Sequence, residues 1–549
     1  MSKKFLRFIG KYSGGIWYSS APIRAWGGEM EPGFSKRALS LSAGLVSLVG
    51  LFLLLPPKAD AIPAFSRQYQ TSCATCHVDF PKLNDFGKAF KDAGFKFPKD
   101  DETFIKIPPV MLGAPAQKEL WPHAIWPGTI PGISPIGLRM NNFFQVVSRN
   151  RNNLASAPIT VIGTNSGVGP FIPRTDFQAG LFSIFTAGNF GSDIAFWLDD
   201  DFSIGGENAN GGLGDGYLKF VNLGHLVKLP KDSFSLRVGQ FELDLPFSPA
   251  RSYNLSGWDI FGQGNVGTSS QFVNNNFTMD AAAQGAEFSG GHNYGGYHYS
   301  LAVVSQNTST ANITTAPNVS PANGVAFTAD SNFKDLYGRF SYRWNLERDP
   351  KSRREVQAAG PMGPRDHTSI RLGTFYFYGR SLQRVLDPAT NAVILGTVRE
   401  PFYRAGGDFD FHYRTFNLYG AYMYGHDHNV VPAFDITGTT LTGVSRGTPA
   451  TFDGGFMQAD YLALPWLMAI MRWDAVNSTA DRNNALPAGG PFRSTRNRYT
   501  PGVQFLIHAN IKAAFEYQVQ PEFLFTDPNT GLPRPFRTNV AVAGLEFVY

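Results

Sequence analysis

The chain has two cysteines, which stand three residues apart and are followed directly by a histidine, in the run Cys73-Ala74-Thr75-Cys76-His77. On one helical turn, two thiols at this spacing can form thioethers to the two vinyl groups of one haem, and the next residue brings an imidazole beneath the iron. A thioredoxin-like redox pair would need a βαβ context, and a zinc site would need further ligands at short spacing. We therefore predict one covalent haem c with His77 as its proximal ligand.

A short helix is predicted directly after this motif. Leu83, Phe86 and Phe90 recur at helical spacing, and Gly94 stands where a helix would end. So small a segment cannot bury much core by itself. We expect these apolar side chains to pack on the porphyrin, which would serve as the centre of a mini-domain.

The second axial ligand of the haem iron has three candidates. Met111 follows a stiff Pro-Pro-Val stretch, and a Met–His pair is one of the ligand sets that hold haem iron. His123 and Met140 compete with it, and any single methionine can equally be a packing residue. We predict Met111 as the distal ligand and His123 as the next choice.

A second group of metal-ligating types, Asp408, Asp410 and His412, alternates with three aromatic residues. The period of a β-strand places the three polar side chains on one face, about 6.6 Å apart. Carboxylate oxygens and an imidazole suit Fe(II) in chemical type, but this spacing is too wide for a compact centre. The prediction is transient capture of a metal ion. The alternatives are the ordinary charged lining of a lumen and, as a rival site, the acidic run Asp199–Asp201.

The elements that would position these residues can be inferred from composition. Charged residues are only 17% and aromatic residues 14% of the chain, which contains 58 glycines, whereas soluble globular chains carry about 25% charged residues. Strands of a membrane barrel are apolar on one face only, and this composition suits them. The net charge of +5 includes no Lys/Arg-rich block, so no nucleic-acid partner is expected.

One apolar run, at residues 38–55, follows Lys36-Arg37 and precedes Ala59-Asp60-Ala61. A basic flank, an apolar core and a small-x-small site are typical of a secretory signal peptide. We assign it to residues 1–61, with Met30 as an alternative start. An uncleaved membrane anchor is the other interpretation, but the run is short for one.

From residue 135 onward, alternating stretches are separated by Gly, Asn, Asp and Pro clusters. In Leu336–Leu346 the rings share one face and Arg339 and Arg343 take the other, which suits a lipid exterior and a watery lumen. Roughly 415 residues at about 26 per strand and connection predict on the order of 16 strands. The last strand ends on an aromatic residue, Tyr549, as bacterial outer-membrane proteins do.

Further strands are predicted at Asp176–Ala187, Asp193–Ser203, Phe234–Leu243, Gln284–Gly290, Tyr297–Gln306, Ser369–Gly379, Arg404–Tyr413, Leu418–Gly425, Phe456–Leu464, Tyr499–His508, Ile511–Val519 and Asn539–Tyr549. A hairpin turn is predicted at His292–Gly296, and extracellular loops are predicted at Asn307–Asn332 and Ala475–Asn497. The fold class is therefore mainly β: an outer-membrane antiparallel β-barrel of about 16 strands. It would occupy residues 135–549, behind a small N-terminal α-helical c-type cytochrome domain and Pro-rich linker at residues 62–134.

The sequence around the motif resembles the fused monohaem cytochrome c–porin family of iron-oxidising bacteria. The matching residues are Pro63-Ala64-Phe65, Arg67-Gln68, the CxxCH motif, Leu83-Asn84-x-Phe86-Gly87-x-Ala89-Phe90-Lys91 and Gly94. The chain departs from the family pattern at Val78-Asp79-Phe80-Pro81. The resemblance implies electron transfer across the outer membrane, with ferrous iron as donor in the best-known members.

These features predict electron transfer between an extracellular donor, with Fe(II) as a candidate, and a periplasmic carrier such as a soluble cytochrome c. An Fe(II):cytochrome c oxidoreductase activity would follow from that function. One haem cannot bridge an apolar band of about 25 Å, so the haem domain would be periplasmic or inside the lumen of a barrel that contacts outer-membrane lipid. The alternatives are a diffusion porin with the cytochrome as plug or redox sensor, and a haem peroxidase with an open sixth position.

Overall fold

The structure is a computed structural model. Apart from short gaps within these ranges, it describes residues 64–97, 101–147, 174–203, 212–262, 266–305, 334–346, 368–386, 393–446, 449–478, 495–519, 523–526, 533–536 and 539–548. The predicted signal peptide, the predicted loop Asn307–Asn332 and the terminal Tyr549 lie outside the described residues. No helix in the described ranges is long and apolar enough to cross a membrane.

Short helices and strand pairs precede the barrel. They are α1 (Ala64–Tyr69), a 3-10 turn (Cys73–Thr75), β1 (His77–Asp79), β2 (Lys82–Leu83), α2 (Asp85–Asp92), α3 (Asp101–Phe104), β3 (Val110–Met111), α4 (Pro115–Leu120) and β4 (Thr129–Ile130). Strand β1 pairs with β2, and β3 pairs with β4. Residues 64–97, which contain the motif, are called the CxxCH segment below. Its helix α2 begins after Asn84, so Leu83 belongs to β2 and only Phe86 and Phe90 of the predicted stripe are helical.

The rest of the chain is dominated by long antiparallel strands. In chain order the elements are β5 (Ile136–Val147), β6 (Arg174–Gln178), β7 (Leu181–Phe190), β8 (Ile194–Ser203), β9 (Gly212–Phe220), a 3-10 helix (Leu223–Val227), β10 (Ser235–Phe241), α5 (Asp259–Gly262), β11 (Val266–Gly267), β12 (Asn274–Asn275), β13 (Ala283–Gly291), β14 (Gly296–Val304), β15 (Asp335–Asn345), β16 (Ser369–Leu386), β17 (Val393–Tyr413), β18 (Phe416–Asp427), β19 (Val430–Phe434), β20 (Leu441–Arg446), β21 (Ala450–Leu464), β22 (Leu467–Ser478), β23 (Thr495–His508), β24 (Ile511–Gln518), β25 (Phe523–Thr526), β26 (Pro533–Phe536) and β27 (Val540–Val548).

These strands close into one barrel, in which β27 pairs with β5. Strands β6 and β7 pair with the two halves of β5 and form one interrupted barrel strand. Counted in this way, the described residues form a sixteen-stranded antiparallel barrel, which confirms the predicted mainly β barrel; the cytochrome domain before it stays a prediction. The pairs β11–β12, β19–β20 and β25–β26 form separate two-stranded sheets in the connections.

The two ends of the barrel differ in the length of their connections. Residues 292–295, 414–415, 465–466 and 509–510 are tight connections at one end, which we call the short-turn end. Strand β5 begins and β27 ends at this end. The opposite, long-loop end carries the connections that contain β19–β20 and β25–β26. The predicted hairpin turn at His292–Gly296 is confirmed, because it joins β13 to β14.

The alternation predicted for β15 is confirmed. Phe340 and Trp344 are exposed on the outer face, whereas Arg339 and Arg343 are buried on the lumen face. The sequence pattern did not predict strands β5, β9 and β22. Residues 475–478 of the predicted loop Ala475–Asn497 belong to β22. In β22 the lumen-facing Arg472 and Asp474 form an ion pair at 2.8 Å, so both charges are buried inside the strand.

Buried side chains fill part of the lumen among the described residues. Residues 242–248, 252 and 254–262, together called the inward segment, turn from β10 into the barrel and contact the lumen face of β21–β24. Together with wall residues they form one buried apolar cluster, the lumen core: Tyr217, Phe241, Leu243, Leu245, Trp258, Ile260, Phe261, Met279, Ala283, Ala302, Val304, Tyr337, Phe375, Phe377, Phe402, Tyr419, Ala421, Met423, Phe452, Phe456 and Val476.

Candidate functional site

The turn that carries the two cysteines is fastened to helix α2 by one buried side chain. The Asn84 amide donates to the carbonyl oxygens of Ala74 and Thr75, each at 3.1 Å. Its Oδ1 accepts from the Gly87 N–H at 2.8 Å, which caps the helix. The Asn84 N–H donates to the Cys76 carbonyl at 2.9 Å. One asparagine therefore sets the position of both thiols relative to α2.

The helix approaches the motif so closely that only glycine fits at position 87. A Cβ on Gly87 would lie 2.1 Å from the Cys76 carbonyl oxygen and 3.0 Å from the Leu83 side chain. The first of these contacts is with backbone, which cannot swing away as a flexible side chain can. The close packing of the motif against α2 thus depends on Gly87 as well as on Asn84.

The imidazole of His77 is oriented by a backbone acceptor. Its Nδ1 lies 3.2 Å from the Pro81 carbonyl oxygen. Burial lowers the pKa of His77 to about 4, although the backbone of Pro81 and Lys82 acts in the opposite direction. The ring is therefore neutral at ordinary pH. A neutral imidazole that donates one N–H to a carbonyl is the arrangement that metal-bound histidines adopt, with Nε2 as the ligand atom.

Both thiols are kept protonated by their surroundings. Burial raises the pKa of Cys73, and burial with the neighbouring Cys73 raises the pKa of Cys76 to about 12. Redox-active CxxC pairs instead carry a thiol whose pKa is lowered by positive charge or a helix N-terminus. The surroundings of this pair therefore fit thioether attachment of a haem better than thiol–disulfide exchange.

The CxxCH segment lies inside the barrel at the short-turn end and is held there by ion pairs. Asp85 of α2 forms two hydrogen bonds with Arg343 of β15, at 2.6 and 2.9 Å. Lys82 lies 3.1 Å from Asp460 of β21. These contacts lie on well-separated strands of the barrel, so the segment is anchored across the lumen rather than attached to one side.

Backbone and aromatic contacts extend this anchoring. Lys512 of β24 donates to the Phe80 carbonyl oxygen at 2.7 Å. On another side, Phe95 packs on Trp197 of β8 at 5.7 Å between ring centroids. Phe90 and Phe95 belong to one buried cluster with Ala195 of the barrel wall. The segment and the wall therefore share a core.

A cavity of about 570 Å³ lies between the CxxCH segment, the inward segment and the wall. Its lining includes Ala74 and His77 of the motif and Phe247, Trp258 and Tyr419. Cofactor and ligand pockets commonly enclose about 300–1,000 Å³. The donor set, the oriented His77 and this adjoining space fit a c-type haem.

None of the distal ligands considered from sequence borders this cavity. Met111 is 65% exposed in β3, His123 is exposed, and Met140 is half-buried in β5. The methionine that does border the cavity is Met468 of β22, which is 3% exposed. No signal in the sequence marks Met468, because it is distinguished only by the strand pairing that brings β22 beside the CxxCH segment.

The structure places the three residues of the predicted lumen metal site in two different environments. Asp410 and His412 border the cavity, as alternation along β17 predicts. Asp408 is instead enclosed by Arg339 and Arg371, each at 3.2 Å, and its side chain is fully buried. Within the described ranges, no three His, Cys, Asp or Glu side chains are grouped so that they could hold a metal ion together.

No protein-family model and no curated protein matches the chain. Solved structures of outer-membrane proteins are similar to it. In vitro folded OmpT of Vibrio cholerae is 7% identical over 78% of this chain and 99% of its own, with a TM-score of 0.41. The outer-membrane channel DcaP of Acinetobacter baumannii is 9% identical over 75% and 96%, with a TM-score of 0.43. An anion-selective porin from Comamonas acidovorans is 10% identical over 75% and 98%, with a TM-score of 0.42.

Proposed function

We propose that the chain is an outer-membrane electron-transfer protein with one covalent haem c held inside the barrel. Cys73 and Cys76 would form the thioethers and His77 would be the proximal ligand. The haem would carry electrons between an extracellular donor and a periplasmic carrier such as a soluble cytochrome c. The observation that carries the proposal is the position of His77, whose oriented imidazole borders a cavity within the barrel lumen.

The residues of the chain would act on the haem in three ways. The haem, when bound, supplies one-electron chemistry at its iron. Pro81 orients the His77 ring through Nδ1, Asn84 fixes the turn between the thiols, and the anchored segment keeps the site at a fixed depth in the lumen.

An orientation follows from the barrel ends. Both the first and the last barrel strand have their chain termini at the short-turn end, and bacterial barrels place their short turns on the periplasmic side. The CxxCH segment would then face the periplasm and the long loops would face the medium. This arrangement would give a soluble periplasmic carrier the shorter path to the haem.

The experiment compares electron and solute passage in the same preparation. Holoprotein is reconstituted in liposomes, Fe(II) or another impermeant donor is added outside, and haem reduction is followed by stopped-flow absorbance while sugar-driven swelling reports solute flux. We expect haem reduction without appreciable swelling, with a Cys73→Ala/Cys76→Ala barrel as the haem-free control. Rapid swelling together with absent haem reduction would replace the proposal with the diffusion-porin function.

The same experiment addresses the donor. Fe(II) is a candidate because Asp410 and His412 border the cavity and offer ligand atoms that suit it. Rates for Fe(II) are compared with those for organic reductants of matched potential and charge. A rate specific to Fe(II) would assign an Fe(II):cytochrome c oxidoreductase activity, and equal rates would leave general electron transfer as the function.

A further inference from the structure

We propose that a column of aromatic rings inside the barrel forms the electron path between the long-loop end and the cavity beside His77, with Trp258 at its centre. The inference rests on the proposed electron-transfer function and adds the route. One haem held at the short-turn end does not span the membrane. Electron transfer rates fall steeply with distance and fall less through contiguous packed atoms than across gaps, so the material that fills the lumen matters.

The column begins at the cavity. Phe247, Trp258 and Tyr419 line the same cavity as His77. The rings of Tyr419 and Phe247 lie 4.7 Å apart between centroids, and those of Phe247 and Trp258 lie 6.2 Å apart. Lys82 of the CxxCH segment places its ammonium 4.8 Å from the Tyr419 ring centroid. The lower end of the column therefore contacts the CxxCH segment directly.

The middle of the column is a stacked pair. Trp258 of the inward segment and Phe456 of β21 lie 4.8 Å apart with an interplanar angle of 18°. Phe261 lies 6.1 Å from Trp258 and 6.2 Å from Phe456. All these separations fall within the range of about 4.5–7 Å in which aromatic rings interact. No gap separates the cavity lining from the centre of the barrel.

The lumen core continues from these rings to the long-loop end. Phe452 and Phe402 belong to the same contact cluster as Trp258. The guanidinium of Arg404 lies 5.2 Å from the Phe402 ring and 5.0 Å from the Phe452 ring. Phe377 stacks on Phe402 at 5.8 Å. Aromatic side chains thus occupy the upper lumen as well as the cavity rim.

Strand register gives the length of the column. Tyr419 of β18 pairs with Gln458, and Gly425 of β18 pairs with Phe452. The column therefore covers six residues of one strand, or about 20 Å along it at about 3.4 Å per residue. Because barrel strands tilt by about 35–45°, this length corresponds to about 15 Å along the barrel axis, which is part of the apolar band of about 25 Å that a barrel presents to lipid.

The central ring is held rigidly. The Trp258 indole N–H donates to Gln458 Oε1 at 3.2 Å, and the amides of Asn254 and Gln458 exchange hydrogen bonds at 2.9 and 3.1 Å. Arg472 donates to the Ser256 carbonyl at 2.7 Å. These bonds attach the Trp258 indole and the residues just before it to the barrel wall, and this attachment fixes the stacking distances.

The chemistry is one-electron transfer with the rings as a bridge. With haem bound, the external donor would give up one electron and the haem iron would accept it, so the step would balance without a further reactant. No bond forms or breaks, no proton moves, and the rings remain closed-shell. Rigid packing of buried rings suits such a bridge, because few polar groups around the rings have to reorient when an electron passes.

The test uses holoprotein with Trp258→Ala, Trp258→Phe and, as matched control, Trp473→Ala, which removes an indole that is 38% exposed on the outer face of β22. Haem reduction by impermeant hexaammineruthenium(II), added at the long-loop side of proteoliposomes, is timed by stopped flow. Protein-film voltammetry then gives the interfacial electron-transfer rate constant and the midpoint potential. Reduction from the short-turn side serves as an internal reference.

We expect Trp258→Ala to slow reduction from the long-loop side several-fold at unchanged midpoint potential, with Trp258→Phe close to wild type. Phe247→Leu provides a second break in the column if Trp258→Ala does not assemble. An unchanged or faster rate in an assembled variant overturns the route while leaving the proposed function standing. A wild-type protein that is never reduced from the long-loop side overturns the proposed function itself.

Discussion

Asp85 and Arg343 form a bidentate ion pair that joins the CxxCH segment to the barrel wall, with nitrogen–oxygen distances of 2.6 and 2.9 Å. Each side chain is only 6% exposed. Asp85 follows the CxxCH motif closely in sequence, and Arg343 lies near the end of barrel strand β15 at the short-turn end. The pair therefore couples two parts of the chain that would otherwise be independent units.

Arg343→Ala is expected to weaken docking of the segment by about 1–3 kcal/mol, because it removes the link to the wall and leaves the buried Asp85 carboxylate with Lys88 of the same helix as its counter-charge. The combination Arg343→Met with Asp85→Leu should recover much of that loss, since apolar replacement of a buried pair is often tolerated. Limited proteolysis of residues 64–97 and denaturant unfolding measure the effect. Lys88→Met is the control, because its ion pair with Asp85 lies within α2; equal protection of Arg343→Ala and wild type would contradict the expectation.

Asn84 can be tested by separating its two roles. Asn84→Asp keeps an oxygen that can accept from Gly87 and cap α2, but it loses the donors to Ala74 and Thr75. We expect Asn84→Ala to cost about 1 kcal/mol through the cap alone. Covalent haem yield, measured by haem stain per unit of assembled barrel, should fall in both variants. A normal yield in Asn84→Asp would show that the carbonyl contacts are dispensable.

The axial ligation of the haem iron can be read from the ferric absorption spectrum. Met111→Leu is expected to leave the spectrum and the midpoint potential unchanged, because Met111 is 65% exposed and does not border the cavity. Met468→Leu removes the thioether that does border it and is the paired variant. Loss of a sulfur-to-iron charge-transfer band in Met111→Leu would restore the ligand predicted from sequence.

Asp408 and Asp410 should give different phenotypes although they lie on the same face of β17. Asp408→Asn is expected to lower barrel stability, because Arg339 and Arg371 then lose their buried counter-charge. Asp410→Asn should leave the barrel assembled and slow Fe(II)-driven haem reduction. Heat modifiability on gels reports the first effect and stopped flow the second. An unchanged Fe(II) rate in Asp410→Asn would leave Asp410 and His412 as ordinary lumen lining.

Alternation along single strands predicted which residues face outward, and β15 shows why: one period-two pattern decides every side chain in the strand. It could not predict what fills the lumen. Trp258 and Phe261 lie in a connection with no strand pattern, and they become core residues only because Gln458 and Arg498 on distant strands bind the inward segment.

The CxxCH motif also separates what the sequence can predict from what only the folded chain reveals. Spacing alone identifies Cys73, Cys76 and His77 as a chemical unit, because neighbours in sequence carry that chemistry. Met111 does not border the cavity, and its role as distal ligand stays a prediction, because an axial ligand is selected by position in space. Met468 approaches the motif through the pairing of β22 with β21 and β23, which no local feature of the sequence records.

The contact between Lys512 and Phe80 carries a consequence for biogenesis. Glu546 of the last strand lies between Arg139 of the first strand, at 2.6 Å, and Lys512, at 2.9 Å. Lys512 also holds the Phe80 carbonyl. The CxxCH segment is therefore bound to β24, the strand that pairs with β27 beside the point where β27 and β5 close the barrel. Until β27 docks, Lys512 lacks Glu546 as its counter-charge, so the contact of Lys512 with the CxxCH segment and the closure of the barrel depend on one set of charges.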